Sequence, residues 1–187
     1  MAAGGCLVSA PAFAYGIVVL PPPDVQRQLL EARKRHLLLQ GVRPPHITVK
    51  SPFVMRHTAA RVIDQLEAIC EGFAPFEVTL GRIGQFGSSI LYLSVLEEGP
   101  LRTLNAQLVE GLSGFVETLN QRWDGVGYNP HLTLAERLEP EDLSPLRRTL
   151  TGLKLRRRFL VERLYLFGGK ERADMTRSFE LLGEPAD

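Results

Sequence analysis

The order of elements constrains this 187-residue chain most, because it is written twice. Residues 12–20 are β-rich and stop at Pro21–Pro23, which can neither extend a strand nor donate to a ladder. Asp24 suits the N-cap of a helix over about 24–39, with Val25, Leu29, Leu30 and the segment 36–38 carrying its apolar spacing. Gly41 and Pro44–Pro45 end it, and "HITVK" follows as a short strand. "TAARVIDQLEAICEGF" is amphipathic, with Thr58 as cap and Val62, Leu66 and Ile69 on one face. "FEVTLGRIGQF" and "ILYLSVL" flank a Gly/Ser turn and read as an antiparallel hairpin. The order then recurs. Pro100 opens a helix striped by Leu101, Leu104, Leu108, Leu112 and Phe115. "RWDGVGYNP" is a loop and "HLTLAE" a strand. Pro140, Glu141 and Asp142 suit the next helix start, and "RFLVERLYLFGG" and "SFELLG" close the chain as strands. Residues 12–84 and 89–168 each read β-α-β-α-β. The expected fold is α+β, a duplicated β-α-β-α-β unit. It forms one domain over 1–187, with two lobes (roughly 12–84 and 89–183).

The middle strand of each unit carries the same phrase. "PPHITVK" and "NPHLTLA" both read Pro, His, apolar, Thr, apolar, and the histidines are 85 residues apart (131 − 46). Side chains alternate across a strand. His46 and Thr48 therefore share one face, with Ile47 and Val49 on the other; His131 and Thr133 stand likewise against Leu132 and Leu134. A face bearing an imidazole and a hydroxyl is a poor core face, since buried polar groups need partners. If a pseudo-two-fold relates the lobes, both polar faces converge on one cleft. Two imidazoles can then act as base and acid on opposite sides of a phosphorus centre. Two hydroxyls can donate to its non-bridging oxygens. This scheme requires no metal and no cofactor, and two histidines without a Cys or carboxylate phrase are too few for a zinc site.

On these two phrases the chain resembles the 2H phosphoesterase superfamily, which includes 2′-5′ RNA ligase-like proteins and cyclic phosphodiesterases. "YGIVVLP", a helix and "PPHITVKSPF" look closest to its bacterial YjcG-like subgroup. The resemblance implies a duplicated α+β fold, two lobes with mainly antiparallel sheets around a central cleft, and metal-independent chemistry on ribose phosphodiesters, as hydrolysis or reversible ligation. It implies a 2′,3′-cyclic phosphate or a 2′-5′ phosphodiester of RNA or a nucleotide as substrate, with His46 and His131 catalytic and Thr48 and Thr133 holding the phosphate. The alternative is an RNA-end or nucleotide binding protein with the same cleft and weak turnover. Many relatives carry an aromatic before the last strand where this chain has Met175.

Arg43 and Tyr128 each stand three residues before a motif histidine. Loops entering a site often carry binding groups, so Arg43 is expected at the phosphate and Tyr128 stacked on a base. Tyr15 and Phe53 read as core aromatics, and His36 and His57 as structural or exposed. "KLRRR" (154–158) reads as a solvated turn, and Gly84–Gly87 and Gly168–Gly169 as turns rather than phosphate loops. A formal charge of +1 provides no global field for wrapping DNA or meeting a membrane, and no apolar run is long enough to span one. The N-terminal apolar stretch lacks the basic residue of a secretory signal. Cys6 and Cys70 have neither metal spacing nor a disulfide framework. The expected protein is a cytoplasmic monomer whose partners are RNA ends or cyclic-phosphate nucleotides, not DNA or membrane.

Overall fold

The computed structural model describes residues 14–35, 44–168 and 175–184. In chain order they form β1 (Tyr15–Val19), α1 (Pro23–Arg35), β2 (Ile47–Met55), α2 (Ala59–Glu71), β3 (Phe76–Phe86), β4 (Ile90–Val95), α3 (Gly99–Gly111), β5 (Val116–Thr118), β6 (His131–Ala135), α4 (Pro140–Thr151), β7 (Arg158–Val161), β8 (Arg163–Gly168) and β9 (Met175–Glu180). The fold is α+β: four helices and a curled, antiparallel, nine-stranded sheet ordered β7-β3-β4-β6-β2-β1-β8-β9, with β5 paired to β2.

The strand order has an internal symmetry. β2 and β6 lie at the centre; β1 and β4 flank them; β8 and β3 come next. Each β-α-β-α-β unit therefore gives its third strand to the other side, β3 to β4 and β8 to β1. The two halves of the sheet are thus not the two halves of the chain. The β3–β4 hairpin turns at Gly87, whose φ of +52° suits glycine. "RFLVERLYLFG" is cut into β7 and β8 at Glu162, because β7 pairs β3 while β8 pairs β1, at opposite ends of the sheet.

One face of the sheet is packed. Ile17, Val19, Ile47, Val49, Leu93, Leu132 and Leu134 join Leu101, Leu104 and Leu108 of α3 and Val62 and Leu66 of α2 in one buried cluster. The leucine stripe of the third helix is the reason α3 packs on β2. Helix starts follow local chemistry. Pro100 and Pro140 occupy first-turn positions, where no N–H is missed. Thr58 precedes α2 without a side-chain cap bond. Asp24 is not a cap: α1 begins at Pro23, and the Asp24 carboxylate accepts from Arg157 Nε at 3.1 Å, which holds its pKa below the usual value. Residues 36–39 of the expected first helix lie outside the described residues.

Phe53 is buried and Tyr15 half-buried, stacked with centroids 6.2 Å apart, as core aromatics. His57 is exposed against Phe115. The basic run ends in ion pairs, Arg157 with Asp24 and Arg158 with Glu77. Among the described residues, no helix is long and apolar enough to cross a membrane.

Candidate functional site

The two His-x-Thr phrases meet at the centre of the sheet. β2 and β6 are antiparallel neighbours paired at Ile47↔Leu132, and both of these side chains are fully buried. That register sets His46 across from Thr133, and Thr48 across from His131. All four belong to the opposite face from Ile47 and Leu132 and all are half-buried. The two histidines become diagonal neighbours, which in such a pairing stand about 7–8 Å apart with their Cβ atoms somewhat closer. An anion between the rings would meet an imidazole from each strand and a hydroxyl from each strand.

Each histidine is held the same way. His46 Nδ1 lies 2.6 Å from the Pro44 carbonyl, and His131 Nδ1 lies 2.7 Å from the Asn129 carbonyl. A carbonyl only accepts, so Nδ1 carries the hydrogen and donates it. In a neutral ring this leaves Nε2 with the lone pair. The intervening Pro45 and Pro130 are buried. Their rigid φ fixes the chain on which each carbonyl sits. The repeated proline therefore has a physical use: it presets the tautomer.

The surroundings of the rings differ. His131 meets the edges of two aromatics, Phe86 at 4.9 Å and Tyr92 at 5.4 Å between centroids, and these two rings stack on each other at 4.0 Å. His46 lies by the ring of Phe167, 6.1 Å away and 19° from parallel. Burial lowers the pKa of His131 below its usual value, against a smaller opposing effect from the Asn129 carbonyl. Tyr92 is cross-strand from Thr133 and Ser94 from His131, so both join the polar face. Gly84 makes room for this arrangement. A Cβ there would lie 2.4 Å from Tyr92 Cζ.

Beside the site lies a buried polar network. A register shift between the Val18↔Thr48 and Ile17↔Lys50 pairs inserts one extra residue in β2. This bulge reverses the alternation and turns Lys50 inward. Lys50 and Asp124 are 1% and 6% exposed, with Nζ 2.5 Å from Oδ2. Lys50 also donates to Thr118 Oγ1 at 2.7 Å. The Asp124 carboxylate further accepts from Ser51 N, Ser51 Oγ and Asn105 Nδ2. Asn105 in turn donates to the Val49 carbonyl and accepts from Gly125 N. The loop between β5 and β6 is thereby fastened to β2 directly after the first motif. A cavity of about 360 Å³ adjoins it, lined by Arg56, Ser113, Thr118 and Gln121 among others and by none of the four motif residues.

Tyr128 corrects the sequence reading. It is 5% exposed and part of the apolar cluster, so its ring has no face for a base. Its hydroxyl donates to the Thr48 carbonyl at 2.9 Å, its own carbonyl accepts from Arg102, and burial raises its pKa. Arg43 lies outside the described residues. Sequence reasoning missed Lys50, Asn105 and Asp124, whose partners are distant in the chain. It also missed Tyr92 and Ser94, which the alternation of "ILYLSV" does signal. Among the described residues, no group of three or more His, Cys, Asp or Glu side chains could hold a metal ion.

Residues 21–172 match the family model described as the 2′-5′ RNA ligase superfamily. A Bacillus pumilus protein named "Putative phosphoesterase" is 25% identical over 166 residues, which cover 87% of this chain and 92% of that protein. TT0787 of Thermus thermophilus superposes with a TM-score of 0.57 at 20% identity, covering 92% of this chain and all of that one. Escherichia coli LigT superposes at 0.57 in its complex with NADP+ (15% identity, 91% of this chain and 98% of LigT) and at 0.56 in its complex with 3′-AMP (15%, 90% and 98%).

Proposed function

The chain belongs to the 2′-5′ RNA ligase superfamily, that of the 2H phosphoesterases, and on that premise we propose that it acts on a 2′,3′-cyclic phosphate or a 2′-5′ phosphodiester of RNA or a nucleotide. The observation that carries this reading is the Ile47↔Leu132 pairing, which brings two imidazoles and two hydroxyls onto one face of the central strands. The nucleotide complexes of LigT support a nucleotide ligand here by likeness of fold.

His131 is the base for hydrolysis. Desolvation between Phe86 and Tyr92 favours its neutral form, and its Nδ1–H is committed to Asn129. Nε2 takes a proton from water as the water oxygen bonds to phosphorus. The bond from phosphorus to one ribose oxygen breaks, and protonated His46 gives its Nε2 proton to that oxygen. Thr48 and Thr133 donate to the non-bridging oxygens as charge develops there. The step needs imidazoles and hydroxyls only, and its reverse joins two ends. Cys70, buried and with its thiol pushed up to about 12 chiefly by burial, takes no part. We further propose that the protein works on RNA ends as a monomer in the cytoplasm.

A panel of 2′,3′-cyclic nucleotides and 2′-5′ dinucleotides tests the reading. Opening of a ring or cleavage of a 2′-5′ link by the purified protein is the expected result. Saturable binding of every member with turnover of none would leave a binding protein in its place.

A further inference from the structure

A second set of polar groups converges on the α3 side of β2, away from Thr48 and the histidines. The bulge after Thr48 turns Lys50 to that side. The cavity of about 360 Å³ beside Lys50 opens there, between the end of α3, β5 and the loop that follows β5. Val109 and Leu112 supply its apolar wall, Lys50, Asp124 and Thr118 its floor, and Arg56 its rim. That volume is at the low end of small-molecule sites, which run from roughly 300 to 1,000 Å³.

The floor has more donors than acceptors. Each oxygen of Asp124 already accepts twice, Oδ2 from Lys50 Nζ and Ser51 Oγ, and Oδ1 from Ser51 N and Asn105 Nδ2. A carboxylate has about four such positions, so this one is full. The Lys50 ammonium has three N–H donors and spends two, on Asp124 and on Thr118 Oγ1. The Phe53 ring, 6.0 Å from Nζ, supplies diffuse attraction and no lone pair. The third N–H has no acceptor among the described residues, and neither has the hydroxyl hydrogen of Thr118. A buried ammonium donor without an acceptor is costly and calls for a reason. At the rim, Arg56 reaches Glu117 through one nitrogen at 3.1 Å, and both side chains are more than half exposed. Its other N–H groups are left to meet a ligand.

We propose that this cavity is a second binding site, for a small oxyanion: a phosphate- or carboxylate-bearing metabolite whose oxygens accept from Lys50 Nζ and Thr118 Oγ1, with Arg56 meeting its outer end. The ligand supplies the acceptors that the floor lacks, while Asp124 holds the ammonium in place. Charge-assisted hydrogen bonds of this kind are the stronger ones. The site is separate from the phosphoryl face, since none of the four motif residues lines it. Its occupancy does not depend on the chemistry proposed at the histidines.

Calorimetric titrations test it. They use the full chain carrying His46→Ala and His131→Ala, so that the motif imidazoles cannot hold the anion. The probes are inorganic phosphate, malonate and, as a neutral polyol, glycerol. Phosphate or malonate should bind saturably, one per chain, and glycerol should not; the tighter of the two anions assigns the ligand's charged group. On the same background Thr118→Val, which keeps the shape and removes the hydroxyl, should weaken binding by roughly 10- to 100-fold. Thr118→Ser should retain binding, and Arg56→Gln, at the exposed rim, should weaken it about a few-fold. No binding of either anion, or binding that Thr118→Val and Arg56→Gln both leave unchanged, overturns the proposal. Glycerol bound as tightly as the anions overturns it in favour of a site for neutral polyols. Should Thr118→Val fail to fold, the Arg56→Gln titration decides.

Discussion

The Tyr128 hydroxyl donates to the Thr48 carbonyl at 2.9 Å, so the residue three before the second motif histidine is tied to the backbone of the first motif. This bond crosses from one sequence repeat to the other. It acts with the Ile47↔Leu132 pairing to set how far apart the two polar strands stand. Tyr128→Phe keeps the ring in the core and removes this bond alone. It should cost about 0.5–1.5 kcal/mol of stability, read as a lower urea midpoint at unchanged slope, and should lower kcat more than it raises KM.

Lys50 and Asp124 form a buried ion pair. Removing one partner strands the other charge in the interior, which costs about 3–5 kcal/mol. Lys50→Met should therefore be strongly destabilised in denaturant unfolding. Adding Asp124→Asn to it should recover a large part of the loss, because no unpaired charge is left. Independent, additive losses in the double variant would contradict the network.

Burial lowers the pKa of His131. In the folded protein it binds its proton less readily than in the unfolded chain. The unfolded state then holds more protons as pH falls below the unfolded value near 6.5, so the native state loses stability in that window and has lost the full amount below the folded value. His131→Gln should flatten this part of the stability profile. The same shift should set the acid limb of kcat/KM below 6.5. Phe86→Ala, which opens the ring to water, should move that limb upward, as a pH–rate profile would record.

A chelator should leave turnover intact, since His46, His131, Thr48 and Thr133 complete the proposed scheme among themselves. Loss of activity in EDTA, restored by one divalent ion, would count against it.

Much of this arrangement was written locally. The alternation in "HITV" and "HLTL" gives the buried Ile47 and Leu132 and the half-buried histidines, because one strand suffices to set which side chains share a face. The leucines of α3 read the same way. What the sequence hid depends on distant partners. Lys50 continues the parity of His46 and Thr48 and would read as a third site residue, but a bulge, set by pairing with β1, turns it inward onto Asp124. Tyr128 sits in a loop that reads as a binding loop, but its ring fills the core because Thr48 and Arg102 supply its polar partners. The exchange of β3 and β8 between the sheet halves also leaves no local mark, since each strand has the same pattern on either side.

The most direct test of the central claim is the single-turnover rate on a 2′,3′-cyclic-phosphate end for wild type, His46→Ala, His131→Ala and the double variant. Each single change should cost on the order of 10²–10⁴ in rate, and the double change far less than the product of the two, since the pair acts as a unit. A wild-type rate that either single variant retains would contradict the two-histidine account.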